Sequence, residues 1–183
     1  IGQAAQNMPY SKPESLLTNF TSDAMKLPDT KYTEGLPVDI TLMNVNGHRA
    51  PLAKGNITVG DIYSTYSFEN ELVVVRLKGT DLNELFNDYA RMDGAGISGN
   101  VRLQIKDSKI VSATVDGKPV YKDKIYTIVT LDYLAEGNDG MNALKKAQSV
   151  SHTKMTLRDY ILGYIKIETG KGNVIDSKLD SRI

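Results

Sequence analysis

The segment formed by residues 71–77, with the sequence ELVVVRL, constrains the fold of this chain more than any other. Its β-branched residues are nearly continuous, a pattern typical of a strand that is covered on both faces. The residues that follow place Leu82, Leu85, Phe86 and Tyr89 at the spacing of one face of a helix. A buried strand and an amphipathic helix are therefore predicted to follow one another in the chain.

Further strands are predicted without the regular strand–helix alternation of a parallel sheet. Residues 38–43 predict a short buried strand, and residues 124–131 predict a further strand. Residues 101–115 predict a meander of short antiparallel strands. This arrangement favours the α+β class over its alternative, a doubly wound parallel sheet. We predict one domain over residues 11–183, preceded by an N-terminal tail or linker over the polar residues 1–10.

Two longer helices are predicted near the ends of this domain. The first is expected to begin with Ser11 as its N-cap and Glu14 as the partner in a capping box. Its apolar spacing continues to Leu27, and Pro28 is expected to end it. The last helix is expected to begin after Thr156, which can cap its free amides.

Charge and residue usage exclude several classes of function. The 22 basic and 22 acidic side chains cancel, so a nucleic acid polymer is not an expected partner. No apolar run is long enough to predict a transmembrane segment. Cysteine is absent, and the two histidines, His48 and His152, lie far apart. With no Gly-x-Ser-x-Gly motif and no glycine-rich phosphate loop, neither a metal centre nor a catalytic triad is expected in this chain.

Three loops next to predicted strands contain polar and aromatic residues that a core does not need. The first runs from Asn44 to Arg49, where an amide and a guanidinium can face one ligand. The second contains Phe68, whose ring lies between polar residues and can stack on a base. The third contains Tyr133 and Asp139, a second ring and a carboxylate that can accept from ribose hydroxyls. Together these residues suit a nucleoside better than a sugar or a peptide.

Each loop also has a simpler interpretation. Arg49 could lie on an ordinary surface turn, and Phe68 could belong to a small satellite core. The run Asn138-Asp139-Gly140 could be a plain turn or part of a calcium loop, although it offers few oxygen ligands for calcium. The residues by themselves leave these alternatives open.

Taken in order, five motifs resemble the C-terminal domain of the 5′-nucleotidase family, which includes UDP-sugar hydrolases and 2′,3′-cyclic phosphodiesterases. Residues 14–25 (ESLLTNFTSDAM) resemble the family's E-S-N-L-G-N-L-x-x-D-A-M, and residues 44–49 (NVNGHR) resemble N-x-G-G-I-R. Residues 57–63 (ITVGDIY) resemble I-T-x-G-D-V-Y, and residues 67–72 (SFENEL) resemble P-F-G-N-x-L. Residues 131–140 (LDYLAEGNDG) resemble N-D-F-L-A-x-G-G-D-G.

The resemblance implies a four-layer α/β/β/α sandwich and a substrate site. The substrate-binding residues that it implies are Asn44, Arg49, Phe68, Asn70, Gly99, Tyr133 and Asp139. The two rings would clamp the base, and the aspartate would hold the ribose hydroxyls. The first asparagine and the arginine would contact the nucleoside and its phosphate side, while the second asparagine and the glycine would line the pocket.

The resemblance also implies that hydrolysis belongs to another domain. In the family, an N-terminal metallophosphatase domain with two divalent metal ions cleaves the phosphate ester. This chain is therefore expected to be inactive alone and to serve such a domain or a separate phosphatase subunit. Its expected location is outside the cytoplasm, in the periplasm, secreted or on the cell surface. The alternative is a stand-alone nucleoside-binding or surface interaction module without catalysis.

The chain departs from the family pattern around the expected pocket. The family places an arginine ahead of the first helix, where this chain has Lys12 as the candidate replacement. His48 and Glu69 replace an aliphatic residue and a glycine, which predicts a more polar rim. Tyr133 replaces a phenylalanine and adds a hydroxyl. These differences bear on base preference and phosphate affinity rather than on the fold.

Overall fold

A computed structural model describes residues 1–26 and 30–183 of the chain. The helices are α1 (Leu16–Ala24), α2 (Val59–Thr65), α3 (Gly79–Arg91), α4 (Asp132–Ala135) and α5 (Leu157–Gly170). Short 3-10 helices span Thr30–Tyr32, Val45–Gly47 and Asn142–Lys146. The strands are β1 (Gly2–Ala4), β2 (Ile40–Met43), β3 (Gly55–Ile57), β4 (Glu71–Lys78), β5 (Gly96–Ile97), β6 (Val101–Lys106), β7 (Lys109–Val115), β8 (Lys118–Pro119), β9 (Ile125–Leu131) and β10 (Ser149–Thr156).

A mixed sheet forms the centre of the fold, with strand order β10-β4-β9-β2-β5. Its pairs are antiparallel except β2 with β9, which is parallel. Smaller antiparallel sheets join β1 to β3 and β6 to β7 and β8. This combination confirms the predicted α+β class, and no doubly wound parallel sheet is found among the described strands.

The strand predicted from ELVVVRL is β4, and it lies inside the central sheet between β10 and β9. Val73, Val74 and Val75 are at most 2% exposed, because the strand has neighbours on both sides and cover on both faces. The following helix, α3, buries Leu82, Leu85, Phe86 and Tyr89 as the helical spacing predicts. Helix α1 packs on β2, and the Thr41 hydroxyl donates to the Ser22 carbonyl of α1.

Residues 1–10 differ from the tail or linker that the sequence predicts. Within this stretch, β1 pairs with β3, and the amide of Ala5 donates to the carbonyl of Ile175 at 2.9 Å. Met8 is fully buried and forms an antiparallel bridge with Leu52. The segment therefore packs on the rest of the domain, and its isolated apolar residues gave no periodic signal of this.

The first helix begins later than the sequence predicts. Its N-cap is Ser15, which forms a capping box with Thr18, and not Ser11. Glu14 is used instead to hold distant residues: its carboxylate accepts from the Asn19 side-chain amide and from the backbone amides of residues 180, 182 and 183. The predicted end of the helix at Leu27 and Pro28 lies outside the described residues.

The segment after α5 is fixed by a buried arginine. Arg182 is 2% exposed and donates to Asp23, to Asp180 and to the Ile97 carbonyl at 2.8–3.2 Å. Its own carbonyl accepts from the amide of Leu103 at 2.8 Å. These contacts join the last residues to α1, β5 and β6.

Strand β10 was not predicted from the sequence. It is an edge strand of the central sheet, and its first four residues, 149–152, are exposed. A surface strand of polar residues lacks the apolar alternation that identifies a half-buried strand. Thr156 caps α5 by accepting from the amide of Asp159, as predicted. Within residues 1–26 and 30–183, no helix has both the length and the apolar character needed to cross a membrane.

Candidate functional site: a cleft at one edge of the central sheet

A cleft of about 320 Å³ opens at one edge of the central sheet. The residues that line it are Asn44, Asn46, Gly47, Arg49, Phe68, Asn70, Tyr133 and Asp139. Six of the seven site residues expected from the sequence are therefore brought together. Asn46 and Gly47 join them from the same loop as Asn44.

Sheet topology explains why these separate loops meet. β2 and β9 run parallel, so residues that follow Met43 and Leu131 lie at the same edge of the sheet. β4 runs antiparallel to β9, with Leu72 opposite Leu131, so the residues that precede β4 lie at that edge as well. The loop after β2, the loop before β4 and the helix after β9 consequently form the walls of one cleft.

Two aromatic rings stand half-exposed in the cleft. Phe68 is 49% exposed and Tyr133 is 43% exposed, so neither ring serves as a core residue. The guanidinium carbon of Arg49 lies 5.8 Å from the centre of the Phe68 ring, within the range of a cation–π contact. The backbone amide of Arg49 also donates to the Thr65 carbonyl at 2.8 Å, which links two of the cleft walls. Arg49 therefore belongs to the cleft and not to an isolated surface turn.

The carboxylate of Asp139 is held in place by its backbone and by Asn44. Asp139 has a φ of 54°, in the left-handed region that aspartate tolerates better than most residues. Its Oδ2 accepts from the Asn44 side-chain amide at 2.8 Å. The Oδ1 of Asn44 is buried and has no hydrogen-bond partner among the described residues. The pair thus presents a fixed carboxylate at the cleft surface with acceptor capacity to spare.

Hydrogen bonds behind the cleft hold the backbone of Tyr133 and of the residues at the start of β4. The Asp132 carboxylate accepts from the backbone amides of Tyr133 and Glu71, which ties α4 to the start of β4. The Asn138 side-chain amide donates to the Tyr133 carbonyl at 2.9 Å. From the other side, the first amide of α5, on Leu157, donates to the carbonyl of residue 70 at 2.9 Å.

Gly99 does not line this cleft. Its amide donates to Asp23 at 2.9 Å, and an added Cβ would lie 3.2 Å from the Arg182 guanidinium. Lys12 lines a neighbouring depression of about 260 Å³ that shares Asn44, Asn46 and Asp139 with the cleft. The expected replacement for the family's arginine therefore lies beside the cleft.

The structure differs from the prediction that His48 and Glu69 make the rim of the cleft more polar. His48 is fully buried beneath the cleft, and burial lowers the pKa of its imidazole from 6.5 to about 4. Glu69 is exposed and does not line the cleft, and its carboxylate lies 3.4 Å from the Arg158 guanidinium. The rim therefore gains no polar group from His48, and Glu69 lies between two residues that line the cleft, Phe68 and Asn70.

Within the part of the chain that the structure describes, no group of three or more His, Asp or Glu side chains is placed to hold a metal ion. The groups that the cleft presents to a ligand are two half-exposed aromatic rings, a guanidinium, a carboxylate and three side-chain amides.

Known proteins resemble this chain in sequence. The family described as 5′-nucleotidase, C-terminal domain, matches residues 1–146. Cell wall protein Lmo0130 of Listeria monocytogenes serovar 1/2a is 30% identical over 193 residues, 96% of this chain and 24% of that protein. The NAD 5′-nucleotidase of Haemophilus influenzae is 30% identical over 168 residues, 79% of this chain and 27% of that protein.

Among solved structures, a 5′-nucleotidase precursor from Thermus thermophilus has a TM-score of 0.83 and 27% identity, over 100% of this chain and 38% of that one. The chain spans about a quarter of the length of the two curated relatives. The sequence motifs, the fold and these matches agree. This chain belongs to the 5′-nucleotidase C-terminal domain family.

Proposed function

We propose that this domain recognises the nucleoside part of a nucleotide for a 5′-nucleotidase-type phosphohydrolase. The observation that carries the proposal is the convergence of two half-exposed rings, an arginine and a carboxylate in one cleft. The loops that supply them are far apart in sequence, and a core has no need of this combination. A volume of about 320 Å³ is at the lower end of the range for small-molecule sites.

Each group in the cleft has a part in the proposed recognition. The base stacks between Phe68 and Tyr133, whose exposed faces tolerate any base. Asp139, held by Asn44, accepts hydrogen bonds from the two ribose hydroxyls. Arg49 directs its guanidinium donors to the phosphate side of the ligand.

Hydrolysis is assigned to a separate metallophosphatase domain or subunit that holds two divalent metal ions. The length of the relatives supports this assignment, since the matched region makes up about a quarter of each. In this arrangement, the present domain orients the nucleotide and the metal-bearing domain supplies the water activation. A location outside the cytoplasm is part of the proposal, and the relative named as a cell wall protein supports it.

The test is an NMR titration of the domain with adenosine, AMP and UDP-glucose. One base stacked between two rings gains a few kcal/mol at about 1–3 kcal/mol per stack, and the loss of ligand freedom subtracts from this. We therefore expect saturable shifts with a Kd from roughly 0.1 mM to a few mM. Phe68→Ala should abolish the shifts. The matched control is Tyr121→Ala, which removes a ring that is 52% exposed and does not line the cleft.

If none of the three ligands shifts the cleft resonances, nucleotide recognition by this domain is refuted. The stand-alone interaction module would then be the better explanation of the fold. Equal losses of binding in Phe68→Ala and Tyr121→Ala would refute the base clamp, because the effect would not be specific to the cleft.

A further inference from the structure

Three buried polar side chains form a hydrogen-bonded network beneath the cleft. The Tyr66 hydroxyl is 2.7 Å from Thr21 Oγ1, and Thr21 Oγ1 is 2.8 Å from His48 Nε2. At the other side of the ring, His48 Nδ1 is 3.1 Å from the Val45 carbonyl oxygen. All three side chains are at most 2% exposed, and none of them lines the cleft.

The positions of the protons in this hydrogen-bonded network follow from the groups that form it. A carbonyl oxygen only accepts, so His48 Nδ1 carries the proton that is donated to Val45. Because burial lowers the pKa of this imidazole to about 4, the ring is neutral near neutral pH and Nε2 is an acceptor. Thr21 Oγ1 therefore accepts from Tyr66, and its one proton lies between two acceptors, His48 Nε2 at 2.8 Å and the Leu17 carbonyl oxygen at 2.9 Å. Burial raises the pKa of Tyr66, which keeps its phenol protonated as the required donor.

The two end members of this hydrogen-bonded network, Tyr66 and His48, belong to two walls of the cleft. His48 lies between Gly47 and Arg49, both of which line the cleft. Tyr66 precedes Phe68 by two residues and begins the segment that carries this ring. Thr21 belongs to α1, so one hydroxyl on a helix in the core contacts both walls. The ring centres of His48 and Tyr66 are 5.5 Å apart, and the two rings pack directly on each other.

The family motif has an aliphatic residue at the position of His48, which would fill this space without a desolvation cost. A buried imidazole is costly unless each of its nitrogens has a partner, and here both have one. Unlike an aliphatic contact, a hydrogen-bonded network has one preferred geometry. It therefore restricts how far the two walls can move relative to each other.

We propose that Tyr66, Thr21 and His48 are positioning residues that set the separation between Phe68 and the loop containing Gly47 and Arg49. Their effect on ligand affinity rests on the proposed function. Their effect on the mobility of the cleft walls does not, because it concerns the domain without ligand.

The first test measures wall positions without any ligand. The protein has three phenylalanines, so ¹⁵N labelling of phenylalanine alone gives three amide resonances, and a Phe68→Leu spectrum identifies that of Phe68. Tyr66→Phe removes the hydroxyl at one end of the hydrogen-bonded network and adds one labelled amide at residue 66, which is a new resonance. We expect the Phe68 resonance to shift or broaden in this variant.

The matched control is Tyr126→Phe, which also removes one hydroxyl from a buried ring. The Tyr126 hydroxyl accepts from the Tyr121 amide at 3.0 Å and lies near the start of β9, whereas the cleft lies at the end of that strand. The control should leave the Phe68 resonance unchanged. A second variant, His48→Leu, replaces the imidazole with the kind of side chain that the family motif has and should reproduce the effect of Tyr66→Phe.

The second test measures adenosine affinity in the same proteins. Tyr66→Phe removes one buried hydrogen bond that positions the walls, and this loss should raise the Kd for adenosine about fivefold. Tyr126→Phe should leave this Kd unchanged. If Tyr66→Phe lowers the melting temperature but leaves both the Phe68 resonance and the Kd as in Tyr126→Phe, the residues are only structural and the inference is overturned. If the resonance responds but the unmodified domain does not bind adenosine, the positioning role stands and the proposed function fails.

Discussion

Acid is expected to destabilise the folded domain through His48. Burial lowers the pKa of its imidazole from 6.5 to about 4, and hydrogen bonds at Val45 and Asn44 oppose the shift only in part. The unfolded chain therefore takes up a proton near pH 6.5, while the folded domain does so only near pH 4. The stabilisation from the neutral imidazole is complete above pH 6.5 and is lost as the pH falls toward 4.

The size of this loss follows from the shift of the pKa. Each unit of difference between the folded and unfolded states corresponds to about 1.4 kcal/mol. Relative to neutral pH, linkage gives a loss of about 2 kcal/mol at pH 5 and about 3 kcal/mol at pH 4. Losses of this size are a large part of the total stability of an ordinary domain, which is about 5–15 kcal/mol.

Urea unfolding at several pH values, from about 7 to about 4, measures this contribution. His48→Leu removes the titrating group. Between about pH 7 and about pH 4, the free energy of unfolding of this variant should therefore decrease by about 3 kcal/mol less than that of the unmodified domain. The carboxylates titrate in both proteins and cancel in the comparison. His152→Leu is the control, because His152 is exposed on β10 and the variant keeps His48. It removes only an exposed contact of 3.0 Å with the Glu71 carboxylate, so its loss of stability should stay within about 1 kcal/mol of that of the unmodified domain. Equal losses in His48→Leu and the unmodified domain would refute the reasoning.

Two further predictions concern stability. Arg182→Leu leaves two aspartates and a carbonyl without their buried donor and should cost about 3 kcal/mol, or roughly 6–12 °C in melting temperature. Its control, Arg102→Leu, removes a half-exposed guanidinium that lies 3.7 Å from Asp180 and donates to the carbonyls of residues 99 and 101. Because this guanidinium is partly in solvent, its loss should cost only about 1 kcal/mol, and equal costs would contradict the prediction. Gly79→Ala places a Cβ 1.9 Å from the Tyr121 carbonyl oxygen and should destabilise the domain, whereas Gly163→Ala meets nothing within 4 Å inside α5 and should stabilise it by about 0.5–1 kcal/mol. Thermal unfolding of the two glycine variants checks the opposite signs.

The expected site residues show what local patterns can and cannot predict. Phe68 can be identified because an aromatic ring between polar neighbours departs from the alternation of a core segment, and Tyr133 is a second ring in the loop that follows a predicted strand. Gly99 was carried over from the family pattern, and the structure places it against Arg182 and Asp23 instead. A glycine has no side chain to mark its surroundings, so its sequence position alone did not predict them.

His48 shows the opposite case. A histidine in a polar, glycine-containing loop predicts an exposed ring, yet this ring is completely buried. Its two partners, Val45 and Thr21, are three and 27 positions away in the chain, and only the packing of α1 under the loop brings Thr21 within 2.8 Å. No periodicity in the sequence records such a contact.

The sequence by itself determined the helices and strands whose buried side chains recur at a regular spacing along the chain. Continuous β-branched residues specified β4, helical spacing specified α3, and Thr156 marked the start of α5. The order of these elements specified the α+β class, and five motifs in family order specified the family and the segments of the site.

Only the tertiary structure decided features that depend on residues far apart in the chain. The packing of residues 1–10, the polar edge strand β10 and the buried contacts of Arg182 and His48 are of this kind. The physical reason is common to all of them. A hydrogen bond or a β-bridge between distant segments leaves no periodic trace in either segment, whereas burial of a helix or strand face repeats along the chain and can be recognised in the sequence.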